Sequence, residues 1–382
     1  MSIIRSVLPP LLLPPFAVLR RLAPSLLFAG TLAAQAVPRT DTPRAGTFRV
    51  TFEPVISTWE YEFSDGQRQR IGAGLLPPTM VVRAERRETP LMLEFGITNR
   101  LAIGVKAPIV RQSVRESFVM DSAGNPVADT AAQRVDSLIN DPTYAFAPFT
   151  NTSRRLRYFP GDVEVGARYR VLVSTGRTVV YTTSIGVTAR LATGHQDSPN
   201  DLFDLSTGDH QTDLELAATQ ELTLFHRFWL NAAVRAGRQM AGTRWRRVGP
   251  ETTLLIPRAA TALLDWKPGD YAGFDVAPMY RFGKMFAVGV TAGYWTKQRD
   301  HYTYQAAQDS VNVSTALGAP TPASVLDPGT SVRRLRLGAA MTYVADDVEG
   351  SFSFDQTVSA SGVREPAASV FRLVMRVSRW PF

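Results

Sequence analysis

The sequence predicts an all-β fold: a transmembrane, antiparallel, up-and-down β-barrel of about twelve strands, preceded by a signal peptide. Three observations carry this. Apolar and polar residues alternate with a period of two over segments of roughly 10–14 residues. Soluble strands are usually nearer five or six, whereas a strand that crosses a bilayer needs about 9–11. Connections alternate between short turns and long polar loops, the pattern of bacterial outer-membrane barrels. Aromatic residues (Phe225, Phe228, Tyr280, Phe282, Phe286, Tyr343 and Phe352) gather beside the short turns, where rings sit between headgroup and hydrocarbon.

The elements follow in order. Arg5, Arg20 and Arg21 lead into an apolar run from Leu22 to Leu32 and a small-x-small end at Ala34-Gln35-Ala36. This predicts a signal peptide over 1–36 and a barrel over 37–382. The earlier apolar piece, Val7 to Leu19, carries four prolines and makes a poor membrane helix. Arg20-Arg21 lacks the rest of a twin-arginine pattern. Strands are expected at 46–62, 79–96, 101–112, 160–173, 178–192, 211–225, 228–241, 271–282, 285–297, 332–344, 348–361 and 369–382. The first two carry Pro54, Pro77 and Pro78 and have the weakest pattern.

In "GDVEVGARYRVLV" (161–173), Val163, Val165, Ala167, Tyr169, Val171 and Val173 form one face. Asp162, Glu164, Gly166, Arg168, Arg170 and Leu172 form the other. The pattern recurs through residue 343, for example in Phe286, Val288, Val290, Ala292 and Tyr294 against Ala287, Gly289, Thr291, Gly293 and Trp295. No segment competes as an amphipathic helix. In the last strand Phe371, Leu373, Met375 and Val377 share one parity, but Trp380 and Phe382 share the other, so a bulge is expected near Ser378 or Pro381. A terminal Phe382 suits recognition by the barrel-assembly machinery. An even strand count brings both chain ends to the periplasm and every long loop outside.

Composition narrows the classes. Apolar residues are 45% and charged residues 20% of 382, which excludes a disordered chain. There is no Cys, so thiolate zinc sites, disulfides and a Cys nucleophile are excluded. Residues 1–36 hold three Arg and no acid, so their removal takes the net charge from +8 to +5. The arginines are spread along strands with acids among them, which is no nucleic-acid patch.

Three stretches bear a family likeness: "LEFGITNRLAIGVKAPIV" (93–110), "GDVEVGARYRVL" (161–172) and "ARLATGHQDSPNDLFDLSTGDHQTDLELAATQEL" (189–222). The acidic-aromatic-Gly-Ile-Thr turn at Glu94–Arg100, the Gly-Asp-Val-Glu-Val-Gly strand at 161–166, the Leu-x-Thr-Gly loop at 191–194 and Thr212–Leu214 carry it. The chain resembles outer-membrane barrels of the MetA-pathway-of-phenol-degradation type over about 91–300. The resemblance implies an outer-membrane channel, with hydrophobic or aromatic compounds as the solute class.

In a membrane barrel the apolar face meets lipid and the charged face meets the lumen. The inward set is then Arg49, Glu53, Glu94, Lys106, Asp162, Glu164, Arg168, Arg170, Arg190, Asp213, Glu215, Glu221, Arg235, Asp275, Arg281, Arg334, Arg336, Arg372 and Arg376. Eleven are basic and eight acidic. They either pair and brace the wall, or line a pore that favours anions. The expected role is passive uptake of small solutes across the outer membrane. The alternatives are a closed structural or adhesive barrel acting through its outer loops, or a lipid-modifying enzyme.

An enzyme needs a nucleophile, a base and an orienting group. The four histidines fall in loops (His195, His210, His301) or a short turn (His226), so no catalytic residue is assigned. The loop at 194–210 is rich in acids (Asp197, Asp201, Asp204, Asp209) but fits no calcium-loop spacing, so no metal or cofactor is expected. Gly72-Ala73-Gly74 lacks the following helix of a phosphate cradle. Loop 113–160 holds Tyr144, Phe146 and Phe149, which suit either an inward plug or packing above the membrane.

Overall fold

The computed structural model describes residues 39–378, apart from 65, 74–75, 126, 132–136, 138–140, 145–156, 201–205, 209, 251–255, 284, 346–347 and 363. Twelve antiparallel strands close into a barrel. They are β1 (Phe48–Phe52 and Val55–Trp59), β2 (Met80–Gly96), β3 (Leu101–Phe118), β4 (Glu164–Thr175), β5 (Val179–Arg190) and β6 (Asp213–Leu224). The second half is β7 (Phe228–Gln239), β8 (Tyr271–Phe282), β9 (Phe286–Lys297), β10 (Val332–Ala345), β11 (Val348–Ser361) and β12 (Ser369–Ser378). Each strand pairs with its chain neighbour, and β1 closes the ring by pairing with β2 through Arg49↔Glu94 and with β12 through Arg49↔Ser378. Closure removes every free sheet edge, which a bilayer demands because lipid cannot satisfy backbone N–H and C=O groups. No helix among the described residues is long and apolar enough to cross a membrane.

The faces sort as a membrane barrel requires. Outward residues such as Leu91, Ile109, Val234, Leu337 and Val290 are exposed, the last by 60%. Inward polar residues such as Arg49, Asp213, Ser353 and Arg372 are almost fully covered. A soluble protein would show the reverse. The aromatic girdle is present at the short-turn end: Phe228 meets Tyr280 edge-on at 5.4 Å, and Tyr280 meets Phe282 at 5.0 Å. The β6–β7 connection is three residues long; Phe225 and His226 both adopt positive φ, 51° and 58°, and Arg227 N donates to Leu224 O at 3.0 Å to close the tight turn.

Several expectations are corrected. β3 runs to Phe118, so the β2–β3 hairpin is longer than 101–112 suggested. β1 breaks at Glu53-Pro54. A short strand, Arg157–Pro160, pairs with β3 before β4 begins, leaving a break at 161–163. Both breaks lie beside the cross-strand pair Pro90↔Pro108, where proline has no N–H to donate. A bulge at Val171 pairs Arg170 with Ser184 but Leu172 with Thr183. Leu172 therefore shares the lipid side with Thr183, and Val173 the inner side with Thr182, the reverse of strict alternation. A second bulge at Val358 shifts β11 against β10. The bulge expected near Ser378 is not found there: β12 keeps one register with β11 through Val377 and with β1 through Ser378. Pro381, Trp380 and Phe382 lie outside the described residues, as does the stretch 1–36 where a signal peptide is expected.

The long loops are not simply polar. The strands Gly242–Arg247, Thr261–Lys267 and His301–Tyr304 form a small sheet, backed by helix α1 (Ala307–Leu317). This cap has its own apolar core of Val248, Leu264, Trp266, Tyr302 and Val313. The helix ends at Gly318, whose left-handed φ of 71° closes the last turn.

Candidate functional site

The interior is a belt of paired charges that nearly every strand feeds. Arg372 of β12 meets Glu53 at 3.1 Å. Lys106 of β3 meets Glu164 of β4 at 3.4 Å, Glu164 meets Arg190 of β5 at 3.5 Å, and Arg190 meets Asp213 of β6 at 2.9 Å. Arg235 of β7 pairs with Asp275 of β8, which also takes Arg336 of β10 at 3.0 Å. Thr291 of β9 donates to Asp355 of β11 at 2.5 Å. Period-two alternation places these groups, since every second residue on each strand points inward. Space inside the ring is also filled by size matching. Tyr271, wholly buried, lies directly across from Gly237, where a Cβ would overlap its ring.

The short-turn end is occupied by the chain itself. Residues 39–42, just before β1, lie across the lumen. Arg39 meets Glu221 of β6 at 3.3 Å and Glu349 of β11 at 2.9 Å. Four strands lie between β6 and β11 on one side of the ring and six on the other, so one guanidinium ties nearly opposite walls. It also lies 4.9 Å over the Trp229 ring, whose other neighbour is Arg281 at 5.2 Å. Thr40 donates to Glu221, and Asp41 accepts from Arg49 at 2.6 Å. Arg49 in turn holds Glu94 at 2.7 Å, and Arg168 stands 3.8 Å from Glu94.

The long-loop end is covered by a lid drawn from the β5–β6 loop. Ser206 O accepts from Gln112 at 2.5 Å and from Arg86 at 3.3 Å, both on the inner wall. Thr207 donates to Pro160 O at 2.9 Å. Gly194 N donates to Asp162 at 2.8 Å, and a Cβ on Gly208 would overlap the Asp162 carboxylate. Asp197 clamps the lid to the cap through Arg244 and through Arg246 at 2.8 Å. Burial disfavours the Asp197 charge, but Arg246 and Arg244 outweigh it and hold the carboxyl below its usual range.

Two cavities remain between floor and lid. The lower, about 160 Å³, is lined by Glu94, Lys106, Arg168, Glu215 and Arg235 among others. The upper, about 360 Å³, has an apolar wall of Val55, Trp59, Pro108, Val110 and Val370, and Arg86, Arg334, Arg336 and Arg372 also line it. Glu164 and Arg190 line both, so their ion pair forms the partition.

The expected inward residues therefore do different things. Glu53, Glu94, Lys106, Glu164, Arg168, Arg190, Asp213, Glu215, Arg235, Asp275, Arg336 and Arg372 stand in the middle belt or just beneath it. Arg376 meets Glu349 at 3.0 Å, and Glu221 belongs to the floor. Arg334 stacks 5.1 Å over Trp295 and pairs with Glu365 beyond the barrel rim. One departs from a lumen-facing role: Arg170 donates to Asn99 O in the short β2–β3 turn. Asp162, in the break before β4, accepts a lid N–H and lines the upper cavity. Glu349 and Asp355 were missed, although the Glu-x-Ser-x-Ser-x-Asp parity of 349–355 points them inward. Arg39 and Asp41 precede the first strand, where periodicity gives no signal. Of the loop 113–160 aromatics that suit either an inward plug or packing above the membrane, Tyr144 is half-buried, and Phe146 and Phe149 lie outside the described residues. Residues 39–42 and 206–208 enter the lumen. No trio of metal-ligating side chains gathers among the described residues.

No family model and no curated protein matches the chain. Among solved structures it is similar to the COG4313 outer membrane channel from Pseudomonas putida F1, with a TM-score of 0.55 at 8% identity over 88% of this chain and 97% of that one. It also aligns, at lower TM-scores, with the TodX monoaromatic hydrocarbon channel deltaS2 mutant (0.40, 7% identity, 89% and 91% covered). The translocator domain of the autotransporter NalP from Neisseria meningitidis is a third (0.34, 9% identity, 89% and 91% covered). At such identities the likeness concerns the fold, and the chain has the architecture of a bacterial outer-membrane barrel.

Proposed function

We infer that the chain is a passive outer-membrane channel for small solutes, of the MetA-pathway-of-phenol-degradation type, with hydrophobic or aromatic compounds as its preferred class. The observation that carries this is the upper cavity. An apolar wall suits a ring, and the arginines around it suit a polar or acidic substituent. Wholly buried Asn231 and Ser353 find no protein partner for their side-chain atoms, which favours a hydrated interior, since an unmet buried polar group costs about 1–3 kcal/mol. In this reading residues 39–42 and the lid are the two barriers to passage, and the Glu164–Arg190 partition is the filter between chambers. Five arginines and three carboxylates line the upper cavity and bias that part of the path toward anions.

Planar-bilayer recording of the refolded protein tests this. Conductance is expected, and it should increase when residues 39–42 are deleted. Reversing Arg334 and Arg336 to Glu should lower the anion preference. No conductance above lipid background in either form would overturn the channel reading. It would favour a closed barrel acting through its outer loops, a reading supported by the separate core of the cap.

A further inference from the structure

The outer wall carries a feature that neither the lumen nor the lid uses. On the lipid side of the β2–β3 hairpin the outward pairs, rising from the periplasmic end, are Phe95↔Ile103, Leu93↔Val105, Leu91↔Ala107 and Thr89↔Ile109. This is the apolar belt, with Leu91 and Ile109 more than half exposed. The next outward pair is Arg87↔Arg111, then Glu85↔Ser113, then Arg83↔Arg115. Like charges directly across a ladder repel, and here two such pairs stand on one face. Arg87 meets Glu85 at 2.6 Å and Arg83 meets Glu60 at 3.3 Å, and both arginines are well exposed on their outer sides. Arg115 is exposed and has no carboxylate partner among the described residues.

The height is informative. The pair Arg87↔Arg111 follows the last apolar pair with no intervening row, so its guanidiniums stand where the outer leaflet changes from hydrocarbon to headgroup. The same margin carries outward Arg238 above Ala236 on β7 and Arg333 above Leu335 on β10, whereas the belt below holds no outward charge on these strands. Guanidinium forks recognise phosphate oxygens in a bidentate way. A group that is anionic, fixed at this height and rich in phosphate would relieve both repulsive pairs together.

We propose that Arg83, Arg87, Arg111 and Arg115 form a binding site for the phosphate-bearing headgroup of an outer-leaflet lipid. The site orients the lipid against the β2–β3 hairpin and adds a polar clamp above the apolar belt. The proposal does not depend on what passes through the lumen.

Native mass spectrometry of the full chain in detergent, with bisphosphorylated lipid A as probe, tests it. Replacing all four arginines by Gln is expected to weaken retention at least tenfold, while heat-modifiable gel migration reports an intact barrel. If that variant fails to fold, the pair Arg87→Gln and Arg111→Gln should still weaken it at least threefold. Replacing Arg100 and Arg177, in periplasmic turns, should leave retention unchanged. Equal retention by the four-residue variant, equal retention of lipid A stripped of its phosphates, or displacement by inorganic phosphate at the same concentration would each overturn the assignment.

Discussion

Replacing Arg39 with alanine is expected to release residues 39–42 from the floor of the lumen. Arg39 makes two charged contacts to the barrel wall, at 3.3 Å to Glu221 and 2.9 Å to Glu349, and covers the Trp229 ring at 4.9 Å. A hydrogen bond to a charged group contributes about 1.5–3 kcal/mol, and a cation over an aromatic face about 0.5–2 kcal/mol. Glu349 keeps Arg376 at 3.0 Å, so only Glu221 loses its main cation. Taking the low ends, about 3.5 kcal/mol of seating is lost, a shift of roughly 300-fold toward release. Freed backbone gains about 1–2 kcal/mol per residue in conformational entropy, so the two states are close enough for that shift to be seen. The chain has no cysteine, so Thr40→Cys supplies a unique thiol at a position only 1% exposed. Its labelling rate with a maleimide polyethylene glycol should rise on the order of 100-fold with Arg39→Ala, and less with Arg39→Lys, which keeps the charge but not the fork. A rate within about twofold of the parent would refute the idea that Arg39 seats the segment.

Other perturbations have equally definite outcomes. Val290→Arg, at a lipid-facing position, should cost about 2–4 kcal/mol in urea unfolding from vesicles, whereas Thr291→Ser on the inner face of the same strand should cost far less. Gly208→Ala should push the lid off Asp162 and raise single-channel conductance without changing barrel stability; an unchanged conductance would remove the lid as a barrier. Asp197 has a depressed folded pKa, so its clamp is fully present above the unfolded value of about 3.9 and is lost as pH falls through the lower folded value. Conductance should therefore be flat between about pH 7 and pH 5 and rise only in stronger acid. Asp197→Asn should open the lid at neutral pH and remove that acid-dependent rise.

Legibility from sequence followed the physics of each element. Strand period and length exposed the barrel because lipid on one side and water on the other force strict alternation, as in Phe286–Tyr294. Parity failed only where a bulge inserts one residue, at Val171 and Val358, and no local composition marks such a site. Pro54 marked the strand that breaks beside it, whereas the break opposite Pro108 was not foreseen, and β3 was cut short because 113–118 mixes charges on both faces. The cap stayed hidden since its strands are four to seven residues long and its helix lacks a side-chain N-cap. Pairing partners such as Arg39–Glu349, some 310 residues apart, depend on closure of the whole ring and leave no trace in local pattern.

The cap has a consequence for the order of assembly. Its first two strands come from the connection after β7, and its third strand and helix from the connection after β9. The Leu264↔Tyr304 and Trp266↔Tyr302 pairs can form only when both connections are on the same side of the membrane. Strands β8 and β9 must therefore already span the bilayer when the cap sheet closes. The apolar core around Leu264 and Val313 then acts as a latch, because withdrawing either strand first requires that core to be opened to water. A contact made so late strengthens the folded barrel against unfolding without speeding its insertion.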